Sequence, residues 1–148
     1  MTLTTNFITL REEWNTYKLE NGTILKSKTA LAGIEIDKDS KMGSIQLSPV
    51  SPVIVPVGED RGTPSTDLTL KQEDIVGTVA FEKISEVIDA YDVPEKKFLL
   101  LIKSHVMRIV KTAKFDVNGN RIYRLDIALA ITNVEYPPDP PLLELPPL

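Results

Sequence analysis

The sequence predicts a mostly β protein: two divergent hairpin-based repeats forming a small barrel or sandwich, with one or two short helices and an extended, proline-rich C-terminal tail. Three observations predict it. Tyr123, Leu125, Ile127, Leu129 and Ile131 alternate with Arg124, Asp126, Ala128, Ala130 and Thr132, the period of two of a strand with one buried face. Residues 98–110 are apolar at both parities through their first half, as in a strand covered on both sides. Between the two lies Asp116-Val117-Asn118-Gly119-Asn120, and an Asn-Gly pair supplies the positive φ angles of a tight hairpin turn.

The front half reads in the same order. Thr9 followed by Glu12 has capping-box spacing, which predicts a helical turn leading to Trp14. Tyr17-Lys18-Leu19 is a short strand, Glu20-Asn21-Gly22 a turn, and residues 23–36 a long strand. A polar loop over 37–43 leads to a third strand near 44–47. Pro49, Pro52 and Pro56 then remove ladder donors, so residues 49–57 must be edge or irregular structure. Residues 58–65 form a loop rich in Gly, Pro and charge. Thr69 and Gln72 repeat the capping spacing and predict a short helix to about residue 76. Phe81, Ile84, Val87, Ile88 and Tyr91 fit either an amphipathic helix or a short strand with a helical turn.

Self-similarity links the halves. Phe7, Trp14 and Tyr17 recur as Phe81, Ile88 and Tyr91 at an offset of 74, and Gly43 recurs as Gly119 at 76. Ile45, Leu47, Val53 and Val55 fall near Tyr123, Leu125, Ile131 and Asn133 at 78. The chain therefore divides into a first β unit over 1–57, a linker with a short helix over 58–78, a second β unit over 79–136 and a Pro/Leu-rich arm over 137–148. The arm carries 6 prolines in 12 residues and favours extended polyproline II.

Composition narrows the function. The 148 residues are 42% hydrophobic and 26% charged, enough for a core without metals or crosslinks. The chain has no cysteine, which removes disulfides, thiolate metal sites and cysteine nucleophiles. Residues 1–10 show neither a basic start nor a long apolar run, so no secretory signal is expected and a cytoplasmic location is. The most apolar stretch, 98–102, is too short to span a bilayer. Net charge is −4, which disfavours a general nucleic-acid binder. The charge is uneven: −5 over residues 1–90, +3 over 91–136 and −2 in the arm.

No motif carries chemistry. Asp37-Lys38-Asp39-Ser40-Lys41-Met42-Gly43 begins like a calcium loop, but Lys41 stands where an oxygen ligand belongs and the required glycine is missing. Asp116-x-Asn118-Gly119 fails similarly, and both read as turns. Glu12-Glu13 and Glu73-Asp74 are neighbours in sequence and so do not converge as acid–base dyads. His105 is the only histidine. Ser104 precedes it, and on a strand the two face opposite sides. Gly58-Glu59-Asp60-Arg61-Gly62 is too acidic to cradle phosphate.

The expectation is a non-enzymatic structural or accessory subunit with no cofactor. It would act through a protein partner or its own copies. Leu142, Leu143, Leu145 and Leu148 are apolar anchors on the stiff arm, suited to docking on a neighbour. Trp14 and Tyr17, with Tyr91, are expected in core or interface packing. Two alternatives remain open. One is a small nucleic-acid-binding barrel using Lys103, Arg108, Lys111, Lys114, Arg121 and Arg124 near Phe115 and Tyr123. The other is a ligand-binding or enzymatic barrel whose carboxylates pair only in the fold.

Overall fold

A computed structural model describes residues 2–37, 43–50, 52–56 and 61–136. Its strands are β1 (Thr2–Thr5), β2 (Ile8–Arg11), β3 (Asn15–Leu19), β4 (Ile24–Ser27), β5 (Thr29–Asp37), β6 (Gly43–Pro49), β7 (Val53–Val55), β8 (Ile75–Val79), β9 (Phe81–Ser85), β10 (Ile88–Val93), β11 (Phe98–Phe115) and β12 (Arg121–Glu135). The protein is mostly β, as its alternating pattern predicts. The strands form three antiparallel sheets, ordered β1-β5-β6, β12-β11-β10-β2 with β8 also on β11, and β7-β4-β3-β9. No sheet closes on itself among the described residues. A sandwich-like fold therefore replaces the barrel alternative.

The long hairpin is the backbone of the molecule. β11 and β12 pair from Phe98↔Glu135 to Phe115↔Arg121. Their turn differs from the expected pair of positive φ angles: Gly119 alone takes positive φ, Asn118 does not, and the Gly119 amide donates to the Asp116 carbonyl at 3.0 Å. Asp116 Oδ1 accepts from the Asn118 and Asn120 amides at 2.9 and 3.0 Å, and Gly119 sits at φ +77°.

The two halves interlock by exchanging strands. β2 pairs with β10, placing Thr9 opposite Tyr91 and Ile8 opposite Asp92. β9 pairs with β3, placing Lys83 opposite Tyr17 and Glu82 opposite Lys18. Each pairing has one register shift, between Ala90 and Tyr91 in the first and between Thr16 and Tyr17 in the second. β1 pairs with β5 and β8 with β11, with Thr5 opposite Ile34 and Val79 opposite Ile109.

Burial follows the exchange. One core joins Tyr17, Leu19 and Leu25 of the front to Val106, Ile109 and Tyr123 of the back. The other joins Leu31 and Ile34 to Tyr91, Val93, Leu100 and Ile102. Phe81 meets Tyr17 edge-on at 5.7 Å between centroids, and Phe7 meets Tyr91 edge-on at 5.8 Å. Neither half encloses its own core, so the hydrophobic driving force acts across the halves.

Three local expectations are corrected. The Thr9–Glu12 spacing does not open a helical turn; residues 8–11 are strand β2, held by pairing with β10. The helical stripe over 81–91 is two strands, β9 and β10, separated by two residues. The helix expected from Thr69 to residue 76 is a single 3-10 turn, Gln72–Asp74. Its box runs from Lys71, whose amide donates to Asp74 Oδ2 at 2.7 Å, and β8 begins at once. In each case a sheet partner outweighs a weak local signal. The long front strand is also split at Lys28 into β4 and β5. The proline segment behaves as expected, with β7 an edge strand.

Candidate functional site

The sheet edges differ in kind. Besides β12, the edge strands are β1, β2, β6, β7 and β9; Pro49 ends β6 opposite Thr29, and Pro52 lies just before β7. Proline blunts an edge by removing a donor. β12 is the corresponding edge of the back half and runs unbroken for 15 residues. Leu129 stands opposite Ser104, as Pro49 stands opposite Thr29. Every second residue of β12 turns its N–H and C=O away from β11.

The side chains there are apolar. Ile127, Leu129 and Ile131 share the face of buried Val106, Ser104 and Ile102 on β11. They nevertheless remain 40%, 43% and 48% exposed. The alternating face read as buried is thus covered only over its first part, where Tyr123 is buried and Leu125 packs partly buried against the core. Residues 127–134, Ile-Ala-Leu-Ala-Ile-Thr-Asn-Val, contain no charge. A long, uncharged edge strand with an uncovered apolar row is a template for another strand.

Two polar networks lie inside the strand exchange. Tyr17 Oη donates to Glu86 Oε2 at 2.6 Å, and Tyr91 Oη donates to Glu12 Oε2 at 2.6 Å. The Val87 amide donates to Asn15 Oδ1 at 2.8 Å, and the Glu13 amide to Asp89 Oδ1 at 3.2 Å. Both tyrosines are held well above the ordinary phenol range, first by burial and then by the carboxylate each one bonds. Burial opposes ionisation of Glu86, but hydrogen bonds from Tyr17 and His105 hold its carboxyl below the usual range. Burial pushes Asp89 up to about 6; the Glu13 amide opposes this, and the charge of Glu12 adds to it.

The second network is the carboxylate pairing that sequence spacing does not reveal. Glu12 also meets Lys28 at 3.6 Å, and Lys28 lies 5.4 Å over the Trp14 ring. His105 Nδ1 sits 2.5 Å from Glu86 Oε2 on the outer face. Ser104 is buried on the opposite face and accepts from Asn15 Nδ2. Among the described residues, no group of three or more His, Asp or Glu side chains could hold a metal ion.

The residues singled out from sequence are scattered. Tyr17 is wholly enclosed in the core, so it serves packing rather than a surface. Trp14 is half-buried under Lys28. Leu142, Leu143, Leu145 and Leu148 lie outside the described residues, as does 38–42 of the calcium-like loop. Three of the six basic residues near the hairpin are engaged within the chain. Arg108 pairs with Asp126 at 2.6 Å, Lys114 with Asp74 at 3.7 Å, and Arg121 stacks 4.7 Å from the Phe115 ring centre. Tyr123 is buried, so neither aromatic offers an open stacking face. No helix among the described residues is long and apolar enough to cross a membrane. No protein-family model, curated protein or solved structure matches this chain.

Proposed function

We propose that this chain is a non-enzymatic assembly subunit whose working surface is the open edge of β12, with the arm over 137–148 docking on a neighbour. One observation carries the reading: β12 presents an uncovered row, Ile127, Leu129 and Ile131, on an unblocked edge, whereas the front edge carries Pro49 and Pro52. The other edges, β1, β2, β6, β7 and β9, run for only 3 to 7 residues, so β12 offers the longest open ladder. The titratable side chains support the same reading. Tyr17 is committed to Glu86 and Tyr91 to Glu12 across the strand exchange, where they fix register rather than face a substrate.

We also propose that the chain arose by duplication of one unit. The contacts Tyr17–Glu86 and Tyr91–Glu12 map onto each other at the offset of 74 once the halves are swapped. So do Phe81–Tyr17 with Phe7–Tyr91, and Val87–Asn15 with Glu13–Asp89. Such reciprocity is the signature of an isologous, strand-exchanged pair joined into one chain.

The assembly reading is tested on chain isolated from the cells that make it, by light scattering. Wild-type chain is expected to run in a particle larger than one copy. Leu129→Lys, which puts a charge on the edge while leaving β11 pairing intact, is expected to reduce it to a single copy. Removal of 137–148 is expected to weaken the particle. Equal masses for wild type and both variants would overturn the reading.

A further inference from the structure

We infer that the occupant of the β12 edge is the β12 edge of a second copy, related by a two-fold axis through Leu129. This deepens the assembly reading above and rests on it. The first ground is the sequence of the exposed row itself. Residues 127–131 read Ile-Ala-Leu-Ala-Ile, which is identical in both directions about Leu129. Antiparallel pairing about that centre places Leu129 opposite Leu129, Ile127 opposite Ile131, and Ala128 opposite Ala130. The branched side chains then meet on one face and the small alanines on the other, in both copies alike. A two-fold interface needs such self-complementarity, because the same surface supplies both sides.

The second ground is charge. Extending the pairing outward sets Asp126 against Thr132, Leu125 against Asn133, Arg124 against Val134 and Tyr123 against Glu135. No like charges come opposite, although like charges facing each other are the usual obstacle to self-pairing. Asp126 is moreover neutralised within its own chain by Arg108 at 2.6 Å. The third ground is continuity of the apolar face. Ile127 and Ile131 lie beside buried Val106 and Ile102, so a second β12 would extend the covered face outward from β11. The chain following Glu135 would emerge beside Tyr123 of the second copy.

A single-cysteine scan tests this, since the natural chain has no cysteine. Single variants I127C, A128C, L129C, A130C and I131C are purified alone and oxidised with diamide. Only the residue on the axis faces itself, at about 4.5–5.5 Å between Cα atoms, within the span of a disulfide. Residue 127 lies about 14 Å from its own mate, beyond that span. L129C is expected to cross-link in high yield and the other four at least about tenfold less. An equal mixture of I127C and I131C is expected to regain about half of the L129C yield, the share of unlike pairs. Cross-linking spread evenly over the five, or centred elsewhere, would overturn the two-fold axis at Leu129. Purified wild-type chain that stays a single copy, with no L129C cross-link, would overturn the second-copy inference. If the particle from cells still depends on Leu129 in that case, the assembly reading stands with another partner. If it does not, both readings fall.

Discussion

Asn15→Ala is expected to destabilise the fold by about 3–5 kcal/mol, a large share of a small domain's stability. Asn15 is buried in β3 and binds in three directions. It accepts from the Val87 amide at 2.8 Å, and its amide donates to the Ser104 carbonyl and hydroxyl at 3.0 Å each. It thus ties β3 to the segment before β10 and to the centre of β11. Alanine leaves a buried amide and a buried carbonyl without partners, and each orphan costs about 1–3 kcal/mol. Asn15→Asp keeps the acceptor but turns a carboxylate towards the Ser104 carbonyl. It is expected to recover part of the loss only in acid, where a protonated carboxyl donates. Urea unfolding of the three chains at pH 5 and pH 8 checks both statements.

Asp89→Asn is expected to act in the opposite direction, stabilising the fold by about 2–3 kcal/mol near pH 8. Asp89 in β10, like Asn15 in β3, is buried and accepts a backbone amide from the other half of the chain. Here the group is a carboxyl, pushed by burial from 3.8 to about 6. The sign follows from that rise. Below about pH 3 the group is neutral both folded and unfolded. Between about 4 and 6 it binds a proton only in the fold, so stability falls as pH rises through this window. Above about 6 the full cost of a buried charge is present. Asparagine removes the charge and keeps an acceptor for Glu13. The stability difference between D89N and wild type should be near zero only below about pH 3, grow from there, and reach its full value by about pH 7–8. A difference independent of pH would show that Asp89 is not the titrating group.

The parts of the fold legible in the sequence are those where one strand's own pattern decides. The alternation in β12, the two-sided run at the start of β11 and the Asn-Gly turn between them all specify their structure locally. Phe7, Tyr17, Phe81 and Tyr91, singled out in the sequence by a spacing of 74, form the ring pairs of the two cores. Glu12 with Glu86 and Asn15 with Asp89 share that offset and were missed. A hydrophobic comparison passes over polar positions, although the pairing of tyrosine with carboxylate makes these the register pins.

The strand exchange was not legible. β2 and β9 are short and mostly exposed, and only partners far along the chain, such as Asp92 for Ile8 and Leu19 for Phe81, decide that they are strands. Local capping spacings at Thr9 and Thr69 therefore pointed to helices that pairing overrides. The candidate site was half legible. Alternation identified the apolar face of β12, but a period of two says nothing about what covers that face. Its exposure emerges only from the end of the sheet at β12.

The most direct measurement is amide hydrogen exchange along β12 of purified chain, followed over a dilution series. If β12 pairs with its own copy, the outward amides of residues 127–133 exchange slowly at high concentration and lose protection on dilution, while β11 stays protected throughout. Rapid exchange of those amides at every concentration, beside a fully protected β11, would contradict the account.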